Sequence, residues 1–157
     1  MTEPQAWSSD TAAQVIASHA GEAGALLPIL HDLQEAFGYI PEAVVPMVAH
    51  ALNISRAEVH GVVTFYHDFR AEPAGRHVLK LCQAEACQAC GSDALAARAQ
   101  DKLGIRLGET SGDGGVTLEP VYCLGLCSVS PSAMIDGRIV GRLDEKKLDA
   151  LIAEAFR

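Results

Sequence analysis

No run in this chain approaches the roughly 20 consecutive apolar residues of a membrane span, although 49% of its 157 residues are hydrophobic. Its start, Met1-Thr2-Glu3-Pro4, lacks the basic and apolar regions of a secretory signal, which predicts a cytoplasmic protein with no direct membrane insertion. Basic residues are few, 12 against 20 acidic ones, and the formal net charge of −8 argues against nucleic acid and anionic membrane surfaces as partners. A phosphate-binding loop is missing, because Gly112-Asp113-Gly114-Gly115 lacks the lysine and the helix that follow in such loops. Neither a Ser/His/Asp constellation nor a nucleophile elbow emerges, and there is no internal repeat or low-complexity segment. His19, His31, His50, His60 and His67 show no ligand-like pairing, so each reads as a packing or solvated histidine. Asp101, Glu109, Asp113 and Glu119 are scattered as on a solvated face.

What the chain does have is five cysteines, an odd number in a sequence without an export signal. That favours metal ligands or reactive thiols over a disulfide framework. Four of them form two tight pairs, Cys82-Gln-Ala-Glu-Ala-Cys87 and Cys123-Leu-Gly-Leu-Cys127. Four thiolates from two loops suit a soft centre, either tetrahedral zinc or an iron-sulfur cluster.

Three ligand sets compete. Cys82, Cys87, Cys123 and Cys127 would grip a 2Fe-2S cluster, one pair on each iron, with Cys90 spare. A plant-type set would use Cys82, Cys87 and Cys90, which fit C-x4-C-x2-C, plus one distant cysteine. Against it, Cys90-Gly91 leads into an alanine-rich helix, and the pairing of Cys123 with Cys127 would go unexplained. A zinc staple would use Cys87, Cys90, Cys123 and Cys127, making the chain an interaction module. A chain of this length buries about 70% of its extended-chain surface, which weakens the need for a staple. Cys87-Gln-Ala-Cys90 also has the spacing of a thiol-disulfide pair, and two more paired cysteines downstream make that reading less economical. Cysteines are often just small buried hydrophobes, but two tight pairs at strand ends speak against it here.

The pairs sit in an organised chain. Up to about Arg70 the sequence reads as short helices: a weak one over Thr11 to His19, then Leu26, Leu30, Leu33 and Phe37 at helical spacing with Gly38 as a stop. A helix starting near Pro41 places Val44, Val48 and Leu52 on one face, with Asn53 beyond its end. Ser55-Arg56-Ala57-Glu58 is a capping box ahead of Val59, Val62, Val63 and Tyr66. Met1 to Ser9 reads as loose. After Pro73-Ala74-Gly75, His77 to Leu81 reads as a strand running into Cys82, Ser92 to Leu103 as a helix, and Gly108 to Gly115 as a mobile loop. Val116 to Tyr122 is a second strand ending on Cys123, Asp136-Gly137 turns a hairpin, and Asp144 caps a last helix. Gly125, Ser128, Ser130 and Pro131 make the second cysteine loop one in which backbone N–H groups can approach sulfur. The expected fold class is α/β: a helical bundle over 1–74 and a thioredoxin-like domain with a small mixed sheet over 75–157.

Leu33-Gln34-Glu35-Ala36-Phe37-Gly38-Tyr39-Ile40-Pro41, Glu58-Val59-His60-Gly61-Val62-Val63-Thr64-Phe65-Tyr66 and the two cysteine motifs, taken together, resemble the small 2Fe-2S subunit of respiratory complex I and its soluble relatives, from about Ala25 to Phe156. That family joins a helical bundle to a thioredoxin-like ferredoxin domain, and the resemblance implies a cluster on Cys82, Cys87, Cys123 and Cys127. Cys82 to Ala89 and Val121 to Cys127 are most similar to the gamma subunit of soluble, molybdenum-containing, NAD-dependent formate dehydrogenases; the complex I subunit and that of NAD-reducing hydrogenases are the near alternatives. The resemblance implies an electron-transfer subunit without a substrate site. Its partners would be a flavin and NAD-binding iron-sulfur subunit, carrying FMN and 4Fe-4S clusters, and a catalytic subunit carrying the molybdenum cofactor, with the helical bundle as the docking element.

Overall fold

The hydroxyl of Ser8 accepts the Thr11 N–H at 3.3 Å and starts the first helix, α1 (Ser9–Ser18), inside the stretch expected to be loose. A hydroxyl just ahead of the helix satisfies one of the free N–H groups of its first turn, and Asp10 favours the positive end of the helix dipole. The computed structural model describes residues 6–155. The expectation of a loose start at residues 1–5 and the end of the family resemblance at residue 156 lie outside them.

The chain divides into two units, Met1–Pro73 and Ala74–Arg157. In the first, α2 (Leu26–Phe37) ends as expected at Gly38, whose φ of 80° is the left-handed stop that glycine reaches without strain. The third helix, α3 (Val44–Leu52), begins three residues later than the sequence reading placed it. Pro41 instead opens a turn in which the Val44 N–H donates to its carbonyl at 2.9 Å. Asn53 closes α3 with φ 53°. The fourth helix, α4 (Arg56–Phe65), carries the expected capping box: the Glu58 N–H donates to Ser55 Oγ at 3.1 Å, and the Ser55 N–H to Glu58 Oε2 at 2.8 Å. Ile29, Leu30, Leu33, Phe37, Val44, Val48 and Val59 form the buried core of this unit. Behind α4 the chain is tied back to α2 by Gln34, which donates to the Asp68 carbonyl at 2.6 Å and accepts the Arg70 N–H at 2.8 Å.

The second unit is a five-stranded mixed sheet with helices packed on it. Its strands are β1 (His77–Cys82), β2 (Glu109–Thr110), β3 (Val116–Val121), β4 (Ala133–Ile135) and β5 (Arg138–Val140), in the order β2-β3-β1-β4-β5. Strands β1 and β3 are parallel neighbours, registered from His77↔Val116 to Cys82↔Val121, and the remaining pairs are antiparallel. The helices are α5 (Glu85–Ala89), α6 (Ser92–Leu103) and α7 (Glu145–Ala155). Alternate strand residues face one side, so Leu79, Leu81, Val116 and Leu118 join Leu95 and Ala99 of α6 and Leu148, Leu151 and Ile152 of α7 in one core. Arg98 clamps α6 to α7 with two hydrogen bonds to the Asp149 carboxylate, at 2.9 and 2.8 Å.

The sequence reading missed two elements. The five residues of α5 are too few to show a helical period. The segment expected to be a loop over Gly108 to Gly115 contains β2, which pairs Glu109 with Leu118 and Thr110 with Thr117. Ser111 and Asp113 then fix the turn, accepting the N–H groups of Val116 and Gly115 at 2.9 Å each. The Asp136-Gly137 hairpin is present, with φ 49° and 83°.

Candidate metal centre

The parallel register of β1 and β3 brings both cysteine loops to the same edge of the sheet. Cys82 is the last residue of β1, level with Val121, and Cys123 follows two residues after Val121. Two backbone bonds hold the first loop there: the Cys82 N–H donates to the Ser132 carbonyl at 3.0 Å, and the Gln83 N–H to the Val121 carbonyl at 2.8 Å. The next turn is α5, which carries Cys87 back toward the sheet. Cys82 and Cys87 are each 2% exposed.

The second loop is open to solvent. Cys123 takes φ 104° and Gly125 φ 75°. This tight path lets the Gly125 N–H donate to Cys123 Sγ at 3.3 Å, and it places Cys123 Sγ 3.6 Å from Cys127 Sγ. Cys127 opens a single 3-10 turn, Cys127–Val129, whose end is fastened by Ser130 Oγ donating to the Cys127 carbonyl at 2.8 Å. Ser130 Oγ and Ser132 Oγ each lie 3.6 Å from Cys87 Sγ, so the second loop also reaches across to the first pair.

The thiols feel this environment. Burial raises the Cys87 thiol, but the hydroxyls of Ser132 and Ser130 and the Cys82 thiol outweigh it, and the net direction is down. Cys127 is raised, chiefly by its hydrogen bond with Cys123 and the charge there, and further by the charges of Cys87 and Cys82. The influences on Cys127 thus link it to the other three paired cysteines.

Among the described residues, no three Cys, His, Asp or Glu side chains close around a single ion. The paired thiols lie on two loops at the same end of neighbouring strands, with Cys123 Sγ 3.6 Å from Cys127 Sγ. Two pairs of thiols on two loops suit a binuclear centre, which takes one pair on each metal, so the residues present fit a 2Fe-2S cluster. Cys90 ends α5 and is exposed, with its N–H donating to the Cys87 carbonyl at 3.1 Å. Sequence reading found the cysteines and the loop-forming Gly125 and Ser130, but nothing in the sequence marked Ser132 as a neighbour of Cys87.

A family model described as "Thioredoxin-like [2Fe-2S] ferredoxin" matches residues 12–155. The chain is 42% identical over 133 residues to an NADH-quinone oxidoreductase subunit of Rhizobium meliloti (strain 1021), covering 85% of this chain and 79% of the relative. It is 30% identical over 141 residues to NADP-reducing hydrogenase subunit HndA of Solidesulfovibrio fructosivorans, covering 90% of this chain and 82% of that one. Among solved structures, an NAD+-reducing [NiFe]-hydrogenase in the H2-reduced state superposes with a TM-score of 0.73 and 25% identity over 85% of this chain. This chain spans only 22% of that hydrogenase chain.

Proposed function

The chain belongs to the thioredoxin-like [2Fe-2S] ferredoxin family, and from that premise we propose that it is the electron-transfer subunit of a multi-subunit, nicotinamide-linked oxidoreductase, with Cys82, Cys87, Cys123 and Cys127 as the cluster ligands. The observation that carries this reading is the pair of thiol pairs at the ends of two parallel neighbouring strands. When bound, a 2Fe-2S cluster stores and passes one electron at a time. Cys82 and Cys87, each 2% exposed, are shielded from water, and Gly125 and Ser130 hold the outer pair at its spacing. No helix among the described residues is long and apolar enough to cross a membrane, and we assign the chain to the cytoplasm.

The finer reading is the gamma subunit of an NAD-dependent, molybdenum-containing formate dehydrogenase, which oxidises formate to CO2 with reduction of NAD+ to NADH. It rests on the similarity of Cys82 to Ala89 and Val121 to Cys127 to that subunit. A second reading is the matching subunit of complex I, supported by the 42% identical relative, or of an NAD-reducing hydrogenase, supported by the superposed hydrogenase structure. In either, the partner is a flavin and NAD-binding iron-sulfur subunit. The helical unit is the docking element: residues 1–73 hold two arginines against nine carboxylates, which calls for a basic partner surface, and Phe65 is 73% exposed there. Affinity purification from the native host, with molybdenum, nickel and flavin assayed in the eluate, tests this. Molybdenum with flavin supports formate dehydrogenase, nickel a hydrogenase, and a large membrane assembly complex I.

A further inference from the structure

Ser132 is 2% exposed, and its hydroxyl faces the sulfur of a residue equally buried, Cys87, at 3.6 Å. Among the described residues this is the only hydrogen bond that the hydroxyl makes. Ser130 Oγ stands at the same distance from Cys87 Sγ but is placed differently, because its own proton is given to the Cys127 carbonyl at 2.8 Å. While Cys87 is a thiol it can donate to Ser130. As a metal-bound thiolate it has no proton to give and can only accept, and of the two hydroxyls only that of Ser132 has a proton left for it.

We propose that Ser132 is a positioning residue of the electron-transfer centre, donating its hydroxyl proton to Cys87 Sγ and thereby raising the reduction potential. The inference rests on Cys87 being a ligand, as proposed above. An electron gained by the centre adds one negative charge to a sulfur-rich set, and a donor aimed at one of those sulfurs stabilises the reduced form more than the oxidised form. The buried setting strengthens the effect, since a charge-assisted hydrogen bond gains in a medium of low dielectric. The backbone of Ser132 contributes separately, by accepting the Cys82 N–H at 3.0 Å, and a side-chain substitution leaves that bond in place.

The test is a potentiometric titration of the full chain, purified anaerobically, following the paramagnetic resonance signal of the reduced 2Fe-2S centre. In Ser132→Ala the ratio of reduced to oxidised centre at a fixed solution potential is expected to fall by up to about tenfold, which is about 59 mV for a one-electron couple. Ser132→Thr, which keeps the hydroxyl, is expected to titrate with the wild type, and Ser132→Val, which matches threonine in shape without the hydroxyl, to titrate with the alanine variant. Should the alanine variant fail to fold, the threonine and valine pair decides by itself. Wild-type behaviour in the valine variant, or a threonine variant shifted as far as valine, overturns the role of Ser132 alone. A wild-type chain with no 2Fe-2S signal overturns the ligand assignment and this inference with it.

Discussion

Cys82 and Val121 are level partners on the parallel β1-β3 ladder, and from that one register both cysteine loops leave the sheet side by side. Two loops far apart in sequence meet because their strands are neighbours, while the long connection between them is taken up by α6 and the β2 turn.

The ligand set is expected to separate Cys90 from the other cysteines. Cys90→Ser should keep its iron and acid-labile sulfide, because the proposed ligand set of Cys82, Cys87, Cys123 and Cys127 leaves Cys90 spare. Cys123→Ser should lose them. Iron and sulfide analysis of both variants checks this, and the reverse result would move the ligands to the plant-type spacing.

Gly125→Ala should loosen the outer loop. At φ 75° a side chain strains the backbone by about 1–2 kcal/mol, and relief of that strain pulls the Gly125 N–H off Cys123 Sγ. Faster release of iron to a chelator than in the wild type is the expected result; an unchanged rate would show that the loop tolerates the strain.

In the helical unit, the His19 ring bridges Glu22 at 2.9 Å and Asp32 at 2.8 Å. These two hydrogen bonds raise its pKa above 6.5, Glu22 contributing most. The folded state therefore holds the proton more tightly than the unfolded chain, so the stabilisation is full below about pH 6.5 and disappears as pH rises through the folded value. His19→Gln should lower the urea midpoint in mildly acidic buffer and leave it near the wild type in alkaline buffer.

The clamp between α6 and α7 has the opposite sign. Hydrogen bonds from Arg98, and then from Lys102, hold the Asp149 carboxyl well below the usual carboxylate range. Its contribution is present at neutral pH, persists below the ordinary value of 3.8, and is lost as pH falls through the folded value. Asp149→Asn should lower the melting temperature at pH 7, and the gap to the wild type should close only under strongly acidic conditions.

Local chemistry made much of the fold legible. Gly38, the Ser55 and Glu58 capping box, the span of α6 and the Asp136-Gly137 turn all signal themselves within a few residues, through positive φ or a side chain that satisfies a free amide. What escaped depends on distant partners. Glu109 and Thr110 are polar and exposed and sit in a glycine-rich stretch, and they become a strand only because Leu118 and Thr117 lie opposite. The five residues of α5 are held by packing against α6 rather than by a period of their own. At the centre, spacing exposed the four paired cysteines, but the approach of Ser132 to Cys87 spans 45 residues and leaves no trace in the order of the chain.

The unequal exposure of the two thiol pairs makes chemical damage one-sided. A peroxide or other small oxidant arriving from solvent meets Cys123 and Cys127, while Cys82 and Cys87 stay shielded. Oxidised to a sulfenic acid or to a Cys123–Cys127 disulfide, the outer pair can be returned to thiols by a reductant, while the inner pair is expected to stay reduced throughout.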